Sequence, residues 1–225
     1  MLITLVIIGV IAALTIPNLM QKYTEQTTVK KVQKFYSNLA NAYNLAIKEN
    51  GTATEWGLTG NNSDTTKIVF DILIKPYFKI AKDCGHTNNS DCIANVKYKY
   101  FNDTDAYNYR GDRSIYKIIL DDGSCIWIRG NSTGAFDIYY DVNGKKGPNK
   151  WGHDLLWFYT YSDRAIVPAG LPSGSKYSVD AFDRTCNSSA THNGHGCAAW
   201  VIYKGNMDYL HCEGLTWKNN SCKDK

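Results

Sequence analysis

Residues 1–20 read MLITLVIIGVIAALTIPNLM, and residues 21–50 continue QKYTEQTTVKKVQKFYSNLANAYNLAIKEN. No charged side chain precedes Lys22. An apolar run of about twenty residues, rising ~1.5 Å each, reaches across the ~30 Å hydrocarbon core of a bilayer as a helix. The first reading is therefore a transmembrane segment over about residues 1–21. A cleaved secretory signal would open on basic residues and stop after a shorter apolar run, and this segment does neither. Pro17 removes a helical hydrogen bond and Gly9 offers a point of close approach, a combination suited to packing against copies of the same helix.

The pattern does not stop at the polar residues. Val29, Val32, Tyr36, Leu39, Tyr43 and Ala46 recur at spacings of three and four, one apolar stripe of an amphipathic helix. Lys22, Lys30, Lys31, Lys34 and Lys48 fall mostly off that stripe. Asn50-Gly51 is a stop signal, so one helix is expected over residues 1–49, roughly 70 Å long. Its inner half is apolar all round, and its outer half has one face for a globular domain. The chain divides accordingly into a helix, 1–50, and a domain, 51–225.

The 225 residues carry 25 basic and 21 acidic side chains, a net charge of +4, with no long basic run. That balance argues against a dedicated nucleic-acid binder. Seven cysteines lie between Cys84 and Cys222, with no C-x-x-C among them. A zinc ribbon or a thioredoxin-type site is thereby disfavoured, and local disulfide loops in an oxidising compartment fit better. Six cysteines allow fifteen connectivities, of which the nearest-neighbour one pairs Cys84 with Cys92, Cys186 with Cys197 and Cys212 with Cys222. Cys125, in an apolar strand-like run, is left over as a buried free thiol.

In the domain, residues 52–66 read as a polar loop, and 67–80 as a short helix broken at Pro76. Ile115–Leu120 and Cys125–Arg129 flank Asp121-Asp122-Gly123-Ser124, a hairpin. Phe136–Val142, Leu155–Tyr161 and Ala198–Tyr203 read as further strands, and the stretch from Ser162 as loop-rich. The expected fold class is α+β: a long N-terminal helix packed on a small antiparallel sheet with disulfide-stapled loops.

The run ITLVIIGVIAALTIPNLMQKY resembles the N-terminal segment of type IV pilins and type II secretion pseudopilins, in its order of Gly9, Ala12-Ala13, Pro17 and polar Gln21-Lys22. The resemblance covers about residues 1–50. It implies a non-enzymatic filament subunit held as a single-pass protein in the bacterial cytoplasmic membrane, its domain outside the cytoplasm. It implies as partners further copies and other pilin-like subunits, membrane lipid before assembly, an assembly platform and a prepilin peptidase. It casts Gly9, Ala12, Ala13 and Pro17 as helix-bundling residues. The family's processing site, a Gly followed by Phe-Thr-Leu and a Glu, is expected by the register of Pro17 just before Met1, so its register-setting glutamate has no counterpart here. The segments 141–158 and 199–210 also resemble blocks that recur in pseudopilin-like proteins.

Residues 141–154 read DVNGKKGPNKWGHD. Asp141, Asn143, Asn149 and Asp154 are the oxygen-bearing residue types that calcium prefers, on a Gly-rich loop, and some pseudopilins hold calcium in a domain loop. Against calcium, no Glu supplies a bidentate ligand and Lys145 and Lys146 sit inside the loop, so a turn held by Asx side chains and glycines is the favoured reading. His192 and His195 beside Cys186 and Cys197 read as solvated loop residues rather than a metal cluster. No G-x-S-x-G, P-loop, H-E-x-x-H or G-x-G-x-x-G occurs, and Asp121-Asp122 reads as turn chemistry. Two other functions compete with a filament subunit. One is a minor pilin that binds DNA or a surface through Lys145, Lys146, Lys150, Trp151 and Trp157. The other is a membrane-tethered enzyme or carbohydrate-binding protein, which requires a deep pocket with converging polar groups.

Overall fold

The structure, a computed structural model, describes residues 2–88, 91–161, 165–175, 181–187, 189, 192–219 and 222; the side chains of residues 2–7 and of Ala12 lie outside that description. One helix, α1, runs over Leu2–Asn50 and passes through Pro17 without a break. It ends where expected: Gly51 takes the left-handed conformation (φ 76°), and its N–H donates to the Ile47 carbonyl at 2.9 Å. Among the described residues no helix is long and apolar enough to cross a membrane. The expected span at 1–21 falls partly on side chains outside the description.

A six-stranded antiparallel sheet follows in chain order, each strand beside the next: β1 (Ile80–Gly85), β2 (Tyr116–Leu120), β3 (Cys125–Ser132), β4 (Ala135–Asp141), β5 (Leu155–Thr160) and β6 (Val167–Pro168). Strand alternation sorts the side chains by face. Ile118, Ile126, Ile128, Phe136, Ile138, Tyr140, Leu156 and Phe158 face the outer half of α1 and share a core with Val29, Val32, Phe35, Leu39, Tyr43 and Ala46. The helix stripe thus lies where its spacing put it, with Phe35 and Ala42 widening it. Phe35 stacks on Tyr140 with ring centroids 3.8 Å apart, and Tyr36 stacks on Phe158 at 5.7 Å. The opposite sheet face carries Trp127, Tyr139 and Leu155, buried under Ile93, Tyr98, Tyr109 and Trp151.

Two local readings are corrected, and one strand was not foreseen. Residues 63–66 are helical, not loop: Asn62 accepts the Thr65 N–H at 2.8 Å and caps α2 (Ser63–Val69), which continues as a π-helical turn over Phe70–Ile74. β1 was not foreseen, because its exposed, polar sequence has neither period. Ala198–Tyr203 is not a strand but the helix α4 (Ala198–Lys204), which follows the one-turn α3 (Phe182–Thr185) and is closed by Gly205 at φ 68°. A six-residue apolar run fits either element. Here the left-handed Gly stop and packing against α1 and Phe182 decide for helix. The disulfides join Cys84 to Cys92, Cys186 to Cys197 and Cys212 to Cys222, and Cys125 is a buried free thiol.

Leu39 is fully buried at the centre of the helix–sheet contact, whereas Leu45, one face round the helix, is 46% exposed. Leu39→Ala is expected to lower the unfolding free energy by about 2–5 kcal/mol in urea titrations, and Leu45→Ala by no more than about 0.5 kcal/mol.

Candidate functional site

Two features remain after the fold has used its residues: the first half of α1 and the loop between β4 and β5. The helix stands clear of the domain from Ile8 to Thr24. Ile8, Leu14 and Leu19 are exposed by 67%, 68% and 69%, and Val10, Ile11, Ile16, Met20 and Tyr23 by more than half. Gly9, Ala13 and Pro17 lie on this exposed arm, and a methyl group built on Gly9 would meet nothing within 4 Å. Ala12 shares the arm, but its side chain lies outside the described residues. The polar side chains here turn back on their own helix: Thr15 Oγ1 donates to the Ile11 carbonyl and Thr24 Oγ1 to that of Met20, both at 2.9 Å. The arm thus presents a long apolar surface on which the hydroxyls of Thr15 and Thr24 are already satisfied. Where it meets the domain, Glu25 accepts from His211 at 2.9 Å.

The loop brings the four candidate ligands together. Asp141 ends β4 and Asp154 precedes β5, and they are 0% and 3% exposed. The Asp141 carboxylate accepts the Tyr98 hydroxyl at 2.6 Å and the Asn143 N–H at 3.3 Å. Asp154 accepts the N–H groups of Asn149 and Lys150, each at 2.7 Å, and the side chain of Asn143 also reaches it. Burial raises the pKa of Asp141 well above the carboxylate range, and the charge of Asp154 adds to the rise. Burial raises that of Asp154 too. The amide oxygens of Asn143 and Asn149 are shielded from solvent and have no hydrogen-bond partner. Gly144, at φ 65°, is required by crowding: a Cβ there would lie 2.4 Å from the Gly123 carbonyl oxygen. Lys145 and Lys146, which weighed against a cation, point to solvent. Tyr98 went unnoticed in the sequence, since it lies 43 residues from Asp141 in a segment without periodicity.

The remaining candidates are dispersed. Trp151 is fully buried, and Lys150 is tied to Asp103 at 2.8 Å, so the lysines and tryptophans proposed for nucleic acid do not form one exposed patch. Asp122 accepts both the N–H and the hydroxyl of Ser124, which is turn chemistry. His195 packs on Trp151 at 4.1 Å and His192 stacks on His195 at 5.3 Å. Among the described residues no group of three or more His, Cys, Asp or Glu is placed to hold a metal. Two clefts of about 510 and 530 Å³ flank the domain. In the first, Asp183 accepts the Trp217 N–H and His211 is held by Glu25, so these groups are already engaged.

On the outer sheet face, Asp137 is 3% exposed and accepts the Trp157 indole N–H at 3.1 Å. Burial pushes its pKa up to about 7, with Trp157 and Arg129 opposing the rise.

The domain is thus an α+β unit carried on one protruding helix. The chain belongs to a family of unknown function, DUF6613, whose model matches residues 18–165, from within α1 through β5 and the 141–154 loop. No curated protein and no solved structure matches it.

Asp137 yields a pH prediction. An unfolded aspartate titrates near ~4, and the folded state holds this proton up to about pH 7. The contribution to stability is fully present below the unfolded value and is lost as pH rises through the folded one. The urea midpoint is expected to fall between about pH 4.5 and about pH 7.5, and to fall less in Asp137→Asn.

Proposed function

We propose that this chain is a structural, non-enzymatic subunit of a type IV pilin-like filament, of the pilus or the type II secretion kind, which polymerises through the inner half of α1. The observation that carries this reading is that one unbroken helix wedges its outer half into the domain core, leaves its described side chains from Ile8 to Thr24 exposed, and carries no charge before Lys22. Bare apolar surface on that scale needs a partner. On this reading lipid of the bacterial cytoplasmic membrane covers it before assembly, and the helices of neighbouring subunits cover it afterwards. The order of Gly9, Ala13 and Pro17 on the arm supports helix-on-helix contact, since small side chains let helices approach closely. A prepilin peptidase and an assembly platform act on the chain. The three disulfides support a domain outside the cytoplasm. The domains then form the filament surface through head-to-tail contacts that do not close.

Among the described residues the native thiols are paired or buried, so a cysteine placed on the arm is the accessible one. In cells that make the full chain, Leu14→Cys treated with a bifunctional maleimide is expected to give a ladder of dimers, trimers and longer species. Adding Ile11→Lys is expected to abolish the ladder while leaving the unfolding midpoint of the domain unchanged. A Leu14→Cys chain that stays monomeric under cross-linking sinks the reading.

A further inference from the structure

We propose that the cleft between α1 and the β2–β3 turn binds the phosphodiester headgroup of an anionic membrane phospholipid, held by Lys31, Lys34 and Lys79. The inference rests on the reading of the arm as lipid-covered before assembly, and it adds a lipid site on the domain itself. The cleft has a volume of about 530 Å³. Its place in the fold follows from strand direction. Tyr140 of β4 stacks on Phe35, whereas Phe136 meets Tyr43, so β4 runs toward the arm as it approaches Asp141. Asp141 pairs with Cys125, which puts the β2–β3 turn at the same end. The Asp121 N–H donates to the Lys79 carbonyl at 3.0 Å and ties Lys79 to that turn. The cleft therefore opens at the end of the domain nearest the arm.

Charge selects the ligand. Lys34 and Lys79 are exposed and Lys31 is half-buried. Among the described residues none of the three has an ion-pair partner. Lys31 gives one of its three donors to the Val142 carbonyl at 3.4 Å and keeps two. Three such lysines around one cleft call for an anion with several oxygens, and a lysine binds phosphate as a point charge. On the far rim Asp122 is taken up by Ser124, and Asp121 lines the same cleft. A carboxylate there disfavours a ligand that is anionic throughout and suits one whose far end is a hydroxyl, as in a glycerol headgroup.

Continuity with the arm selects the lipid over a free phosphate. Ile16, Met20, Tyr23, Thr27, Lys31 and Lys34 recur at steps of three and four and share one helix face. Ile16, Met20 and Tyr23 are exposed, so an apolar strip leads along the arm into the cleft. Tyr23 is a residue type that settles at the membrane–water boundary. Lys31 lies eight residues further, roughly 12 Å, and helical side chains lean back toward the N-terminus, here toward the membrane. Lysine stems snorkel along apolar surface to place their charge at that level.

Asn38 lines the cleft and is exposed, so Asn38→Cys in the full chain accepts a polarity-sensitive maleimide dye. The labelled chain is placed one per disc in phosphatidylcholine discs with a rising proportion of phosphatidylglycerol. Dye emission is expected to change saturably with phosphatidylglycerol and not in phosphatidylcholine alone. Lys34→Gln and Lys79→Gln are each expected to weaken that response by about five-fold. Lys145→Gln with Lys146→Gln removes two exposed charges at the same end of the domain but outside the cleft, and is expected to leave it unchanged. The urea midpoint establishes that each variant is folded. An equal loss in the Lys145/Lys146 variant, no response to phosphatidylglycerol, or the same change with inorganic phosphate overturns the proposal. So does a change that follows chain concentration in phosphatidylcholine, which assigns the cleft to a second copy. A chain that enters the discs without responding sinks this inference alone, whereas one that does not enter them sinks the lipid-covered arm as well.

Discussion

The molecule depends on the contact between the outer half of α1 and one face of the sheet. Phe35 and Tyr36 stack on Tyr140 and Phe158, while Leu39, Tyr43 and Ala46 fill the seam further along. A fully buried side chain of the size of Phe35 or Leu39 contributes about 1.5–3 kcal/mol. Geometry then forces the rest. The 49 residues of α1 span roughly 73 Å at ~1.5 Å each, whereas the eight residues of β3 span roughly 26 Å at ~3.3 Å each. A sheet of that size cannot cover a helix of that length. The arm follows from the same element that builds the core, and any force on one reaches the other through a continuous backbone ladder.

What was legible in the sequence was what has a period. The α1 stripe announced itself through residues three and four apart, and the β2–β3 hairpin through two β-rich runs around Asp122-Gly123. Both are local signals set by repeat geometry. β1 was illegible because it is mostly exposed and polar and is held by pairing with β2, which lies more than thirty residues away in the chain. α4 was misread because a six-residue apolar run has too few turns to separate the two periods, and the deciding partners, α1 and Phe182, are distant in sequence. The cover over the second sheet face was invisible for a related reason: Tyr98 and Tyr109 sit in a segment without regular structure.

The candidate site divides in the same way. The four oxygen-bearing residues of the 141–154 loop are readable from residue type and spacing. Their burial is not, nor is the contribution of Tyr98. Lys145 and Lys146 lie exposed on this loop, while Gly144 lets its backbone press against the β2–β3 turn. Composition reports which groups a loop contains, and only packing reports which of them face inward.

The loop and the arm are not remote from each other. Lys31, on α1 just above the exposed segment, donates to the Val142 carbonyl at 3.4 Å. Tyr209 donates to the Gly152 carbonyl at 2.7 Å, two residues before His211, which holds Glu25 of the same helix. Gln33 adds a bond to the Ile202 carbonyl at 3.2 Å. The base of the arm is therefore clamped on one side by the loop and on the other by the C-terminal region with its two disulfides. Stiffening the loop stiffens the carbonyls that Lys31 and Tyr209 grip. A load along the helix axis enters the domain at these contacts, so the stiffness of the joint rests on Lys31, Gln33 and Glu25 and on the partners that hold them.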